Sequence, residues 1–189
     1  TFVVSMFITM ALVPPLMKAA TRFAFIDEPG ERKVHETPIP RIGGVAMVAG
    51  VLIPVLLWAD HPPMVVSVLL GIAVILVFGV WDDRATLSHR VKFFGQFLAI
   101  GIVVFLGDIK IYYLPFHSID PVPEWFAIPF TFFALLGVTN AINLSDGLDG
   151  LAGGTTLLTT AAIGMLAYMS SDSVLLIFSL ALMGSIIGF

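Results

Sequence analysis

Two carboxylates, two glycines and an asparagine sit within the eight residues Asn143-Leu-Ser-Asp146-Gly-Leu-Asp149-Gly150. Carboxylate and amide oxygens are ligands for hard cations. Asp146 and Asp149 are three apart, so they share a face if a helix has begun. Gly147 and Gly150 leave room for a ligand against the backbone. A plainer account is helix capping: Ser145 or Asp146 caps the helix that follows, and Asp149 complements its dipole. Capping leaves Asn140 and Asn143 unexplained, because both lie on the apolar side of the junction.

A second constellation is Asp82-Asp83, directly after an apolar run. Acids at a helix C-terminus oppose the macrodipole and cost about 0.3–1 kcal/mol each, so capping does not explain them. Adjacent carboxylates titrate as a coupled pair. Arg84, Arg90 or Lys92 could neutralise them. The alternatives are a Mg²⁺ site or a base acting on an acidic substrate. Lys92 could snorkel at a membrane edge or hold a phosphate. The third constellation is the loop carrying Arg32, Lys33, His35 and Arg41, followed by Gly43-Gly44. It reads either as an ordinary solvated loop whose glycines allow close helix packing, or as a phosphate site at a helix N-terminus. A phosphorylated substrate handled with Mg²⁺ would account for all three constellations together.

The elements that position these residues are apolar. The 189-residue chain is 58% hydrophobic and 12% charged, with a mean hydropathy of +1.02. Segments near 1–17, 42–59, 64–81, 93–107, 125–142, 151–169 and 173–189 are each long enough, or nearly so, to cross about 30 Å of hydrocarbon. The fourth is short and is expected to borrow residues from its flanks. No period-2 alternation spans these runs, and an open sheet edge cannot face lipid. The fold class is therefore all-α: a polytopic membrane helix bundle of about seven transmembrane helices. Residues 1–189 read as one integral-membrane domain.

The connections alternate in charge. Segments 18–41, 82–92 and 143–150 hold Lys18, Arg22, Arg32, Lys33, Arg41, Arg84, Arg90 and Lys92, whereas 60–63, 108–124 and 170–172 hold only Lys110. The positive-inside bias places the first set in the cytoplasm. All three constellations then lie on the cytoplasmic face. A net charge of −4 and the lack of a basic tract argue against nucleic acid as a partner, and the absence of cysteine removes disulfide and thiolate chemistry. The chain starts at Thr1 inside an apolar run and closes at Phe189 inside another, so it is expected to be part of a longer protein.

The combined pattern resembles a known family. Arg32-Lys33-x-His35-x-x-Pro38-x-Pro40-x-x-Gly43-Gly44, then Gly79-x-x-Asp82-Asp83 with Lys92, then Asn140-x-x-Asn143-x-x-Asp146-Gly-Leu-Asp149-Gly-Leu is similar to the polyprenyl-phosphate N-acetylhexosamine-1-phosphate transferases, of glycosyltransferase 4 type. The His-containing loop looks more like the bacterial undecaprenyl-phosphate GlcNAc-1-phosphate branch than the branch that makes lipid I. The resemblance implies a reaction between a UDP-N-acetylhexosamine and a polyprenyl phosphate at the bacterial inner membrane, with UMP released. It implies Mg²⁺ as cofactor, with Mn²⁺ as the alternative ion. It implies Asp82 or Asp83 as the group that deprotonates or positions the lipid phosphate, and Asn143 as a metal ligand. Lys92 would contact phosphate. Asp146 and Asp149 would lie on the nucleotide side, and Lys33 and His35 would guard the cavity. A homodimer is one assembly open to such a protein. The family also carries a later metal-binding aspartate and a His-rich loop beyond the span of this chain, so the fragment alone is expected to be inactive. Two readings from other classes stand beside the enzyme. One is a transporter with phosphate-binding loops, although five of the seven runs lack an ionisable residue near their centres. The other is a non-catalytic assembly protein that keeps the fold.

Overall fold

A computed structural model describes residues 1–22, 26–27, 39–40, 43–114, 121–145 and 150–189. Seven α-helices follow one another among them: α1 Phe2–Arg22, α2 Gly43–Trp58, α3 Pro63–Ala85, α4 His89–Gly101, α5 Glu124–Ser145, α6 Leu151–Met169 and α7 Ser173–Gly188. A π-helical turn, Ile102–Leu106, continues α4. With it α4 reaches 18 residues, made up from the residues before its apolar core. Five of the spans are long and apolar enough to cross a membrane, and α2 and α7 are shorter apolar helices. The chain is an all-α, multi-pass membrane protein. The described residues contain one small sheet: β1 (Ile26–Asp27) pairs antiparallel with β2 (Ile39–Pro40), bringing together the two ends of the loop between α1 and α2.

The helices form two compact units. The first comprises residues 1–60, 76–87 and 153–189, and the second comprises 61–75 and 88–152. In the first unit, α1, α2 and α7 meet through small and hydroxylated residues. The Ser5 hydroxyl donates to the Ala181 carbonyl, and the Thr9 hydroxyl donates to Ser185 Oγ at 3.2 Å. Ser185 Oγ in turn donates to the Met47 carbonyl at 2.8 Å. A Cβ added at Gly50 would overlap Thr9, and one added at Gly184 would overlap the Phe2 backbone carbonyl. Lipid offers no hydrophobic drive for helices to associate, so close backbone approach and interhelical hydrogen bonds take that role. The pairings 5–181 and 9–185 advance together, so α1 and α7 run parallel. Gly43 lies against Phe189 while Met47 meets Ser185, so α2 runs antiparallel to them. Gly164 against Ser179 and Gly153 against Ile186 make α6 antiparallel to α7.

The second unit is aromatic where the first is small. Phe132 of α5 packs on Phe97 and on Phe105, with ring centroids 5.7 and 6.2 Å apart. Gly71 of α3 meets Val103, and a Cβ at Gly107 would overlap Ser67, so α3 and α4 run antiparallel. At the start of α5, the Lys110 ammonium is held between Asp108 at 2.7 Å and Glu124 at 2.6 Å, with only 8% of its side chain exposed. The Ile111 N–H donates to Thr131 Oγ1 at 2.9 Å, and the Val122 N–H donates to the Tyr112 carbonyl at 2.8 Å. Segment 108–114 is thus tied to α5 and to Val122 just before it by an ion pair and by hydrogen bonds of backbone N–H groups.

Candidate functional site

Asp82 and Asp83 occupy the last turn of α3 and are half-buried. The helix carries them past its apolar stretch and then closes on Asp82. The Asp82 carbonyl accepts from the Thr86 N–H at 2.9 Å, and its Oδ1 accepts from the Leu87 N–H at 2.8 Å. Thr86 has φ 43°, a left-handed conformation that is strained for a β-branched residue. The side-chain bond to Leu87 helps hold the chain in that turn. Asp82 therefore has a local structural role that its position in the sequence did not reveal.

Lys92 lies in the first turn of α4, half-buried. Asn143 lies in the last turn of α5 and is exposed. Both belong to the second unit, and the α4/α5 register relates them. Asn140 Nδ2 donates to Gln96 Oε1 at 3.1 Å and to the Leu136 carbonyl at 2.8 Å. Gln96 meets Asn140 while Phe105 and Phe97 meet Phe132, so the two helices are antiparallel. Lys92 is one turn before Gln96, and Asn143 is one turn after Asn140. The lysine and the asparagine therefore come to the same end of the pair. The Lys110 cluster lies at the opposite end.

The two ends of the Asn143–Gly150 segment are described, and its centre is not. Ser145 is the last residue of α5, and its hydroxyl donates backwards to the Ile142 carbonyl at 2.7 Å. It does not cap α6. The chain re-enters helix through Gly150 at φ 77°, a conformation suited to glycine, and α6 begins at Leu151. Asp146 and Asp149 lie outside the described residues, as do Lys33 and His35 in the first loop. Gly43 opens α2, where a Cβ would press on the Phe189 ring, whereas Gly44 has open space. At Gly43 the close-packing role has direct support.

The donor types suit a hard divalent cation, since carboxylates and an amide oxygen are what Mg²⁺ accepts. Among the described residues, no three His, Cys, Asp or Glu side chains converge on one point. Asp82 and Asp83 in the first unit and the exposed Asn143 in the second are each oxygen donors at a helix end, where a partly solvated ligand can be reached.

Residues 65–189 match the family described as Glycosyl transferase family 4. The chain belongs to that family. It is 34% identical over its whole length to a Bacillus subtilis protein named probable undecaprenyl-phosphate N-acetylglucosaminyl 1-phosphate transferase, covering 53% of that protein. It is 35% identical to a Mycobacterium leprae decaprenyl-phosphate N-acetylglucosaminephosphotransferase, with 90% of the chain and 48% of the relative aligned. A Listeria monocytogenes phospho-N-acetylmuramoyl-pentapeptide-transferase is 32% identical over the full chain, of which 64% of the relative's length is covered. The chain spans about half the length of the first two relatives.

Sequence reasoning missed the Gln96–Asn140 bond and the Asp82 turn. The first had a visible signal, since Gln96 and Asn140 are the only amides within their apolar runs. The second had none, because which backbone N–H a carboxylate meets depends on the path of the turn.

Proposed function

We propose that the protein carrying this chain transfers N-acetylglucosamine-1-phosphate from a UDP-sugar to a polyprenyl phosphate in the inner membrane of a bacterium. The observation that supports it most is the match, over the whole of this chain and 53% of the relative, to a protein named for that sugar phosphate and a polyprenyl acceptor. An oxygen of the lipid phosphate attacks the β-phosphorus of the UDP-sugar. The bond from that phosphorus to the bridging oxygen breaks, UMP leaves, and a polyprenyl-diphospho-sugar remains in the membrane. Two anions must meet, so positioning and charge neutralisation carry most of the barrier reduction.

Asp82 and Asp83 sit at the end of a membrane helix, where a lipid headgroup would present its phosphate. One of them takes the phosphate proton or orients the attacking oxygen. Lys92, at a helix start, supplies a point charge to phosphate oxygens. Asn143 offers a neutral oxygen toward Mg²⁺, and Asp146 and Asp149 face the nucleotide. Mg²⁺, or Mn²⁺ in its place, would neutralise charge on the pyrophosphate. Lys33 and His35 guard the entrance. The active face is cytoplasmic, where UDP-sugars are made.

The test uses the full-length protein. Asp82→Asn and Asp83→Asn are expected to lower transfer by roughly 10²-fold or more, as loss of a positioned acid–base group does, with normal membrane insertion. Chelation of divalent cations abolishes transfer, and Mg²⁺ or Mn²⁺ restores it. UDP-GlcNAc is used in preference to UDP-MurNAc-pentapeptide. Full activity of both Asn variants, or preference for the muramoyl substrate, would overturn the respective part of the reading.

A further inference from the structure

The Gln96–Asn140 bond joins two helices that aromatic contacts already hold together. Phe132 against Phe97 and Phe105 supplies packing, but tilted rings tolerate sliding. A directional amide pair does not. Asn140 uses Nδ2 twice, once within its own helix and once across to Gln96, and an amide nitrogen has two protons to give. A slip of one residue moves a helix by about 1.5 Å and breaks the cross-helix bond. Polar groups within apolar helix contacts are best attested as devices that fix register.

What this register controls is specific. One turn beyond Gln96 lies Lys92, and one turn beyond Asn140 lies Asn143, at the same end of the pair. We infer that Gln96 and Asn140 are positioning residues that set the spacing of the phosphate-binding Lys92 from Asn143. The inference rests on the function proposed above. It gives Asn140 a role distinct from that of Asn143, although the two share a motif.

The experiment compares Gln96→Leu, Asn140→Leu, the double variant and the swapped pair Gln96→Asn with Asn140→Gln, all in the full-length protein. Two readouts are used. The first is kcat with KM for the UDP-sugar. The second needs no activity: the distance distribution between spin labels at His89→Cys and Leu144→Cys, both exposed and at the same end of the pair. This chain contributes no native cysteine to interfere. Each single variant is expected to lower kcat by roughly 10- to 100-fold, the scale of an ångström-sized misplacement, and to shift or broaden the label distance. The double variant is expected to be no worse than the poorer single one, because the same bond is lost in all three. The swapped pair, which conserves the summed side-chain length, restores both readouts. Melting temperature monitors folding, and a kcat loss that follows melting without a change in label distance overturns the inference. So does an Asn140 defect that Gln96 variants do not share, since Asn140 would then act on substrate directly. Silent Gln96 variants beside inactive Lys92→Met and Asn143→Ala overturn this inference alone. Full activity of Lys92→Met and Asn143→Ala would overturn the site assignment and this inference with it.

Discussion

Asp82 accepts a backbone N–H from Leu87 and also stands in the acidic pair assigned to chemistry. The two roles separate under substitution. Asparagine keeps an acceptor oxygen, whereas alanine removes it and leaves a turn with Thr86 at positive φ unsupported. Asp82→Ala is therefore expected to destabilise by about 1 kcal/mol in addition to losing activity, and Asp82→Asn to lose activity alone. Thermal melting beside transfer assays checks this, and equal melting of the two variants would contradict the structural role. At this scale the sequence showed which residues are chemically out of place. Asp82-Asp83 stood against the macrodipole, and Asn140 stood within an apolar run with Asn143 at its edge. What could not be read was which neighbours meet them. Asn140 finds Gln96, 44 positions away, and that partnership follows from the docking of two helices.

Helix existence and order were legible because each apolar run is long and continuous. Boundaries shifted where polar residues extend a helix beyond its hydrocarbon stretch: α3 continues through Asp82 and Asp83 to Ala85, α5 runs to Ser145, and α4 begins at His89. The mode of packing was less legible. Glycine occurs in every run but the first, yet only some glycines are contact points. Gly184→Ala is expected to destabilise the first unit by about 1–3 kcal/mol, since the obstruction is backbone and cannot rotate away. Gly44→Ala, which meets nothing, is expected to leave melting unchanged. Similar losses at both positions would sink the argument. The Lys110 clamp is a second element-scale feature. Hydrogen bonds to Asp108 and Glu124 hold its ammonium well above the usual lysine range. A raised lysine gives stability that is fully present below the ordinary value of about 10.4 and lost as pH rises through the folded value. The loop should thus stay clamped through neutral and mildly alkaline pH and loosen only in strong alkali. Lys110→Met should lower the melting temperature at pH 7 and remove that alkaline step.

At the scale of the whole molecule, helix directions bear on the topology drawn from the loop charges. Within the first unit, α1 and α7 run one way while α2 and α6 run the other. Within the second, α4 opposes both α3 and α5. In each unit the odd-numbered helices share one direction and the even-numbered share the opposite one, as required if every helix crosses the bilayer once. Eight of the nine basic residues then fall between the last turns of an odd-numbered helix and the first turn of the even-numbered helix that follows. The exception is Lys110, which is neutralised by two carboxylates, so the connections after even-numbered helices carry no uncompensated lysine or arginine charge, as the positive-inside bias expects of outward-facing segments. Because the chain lacks cysteine, single cysteines can map the two faces directly. Ser171→Cys and Asp60→Cys are expected to react with a membrane-impermeant maleimide added to intact cells. His89→Cys is expected to react only after the membrane is opened. Labelling of His89→Cys from outside would invert the topology and remove the nucleotide site from the compartment that supplies its substrate.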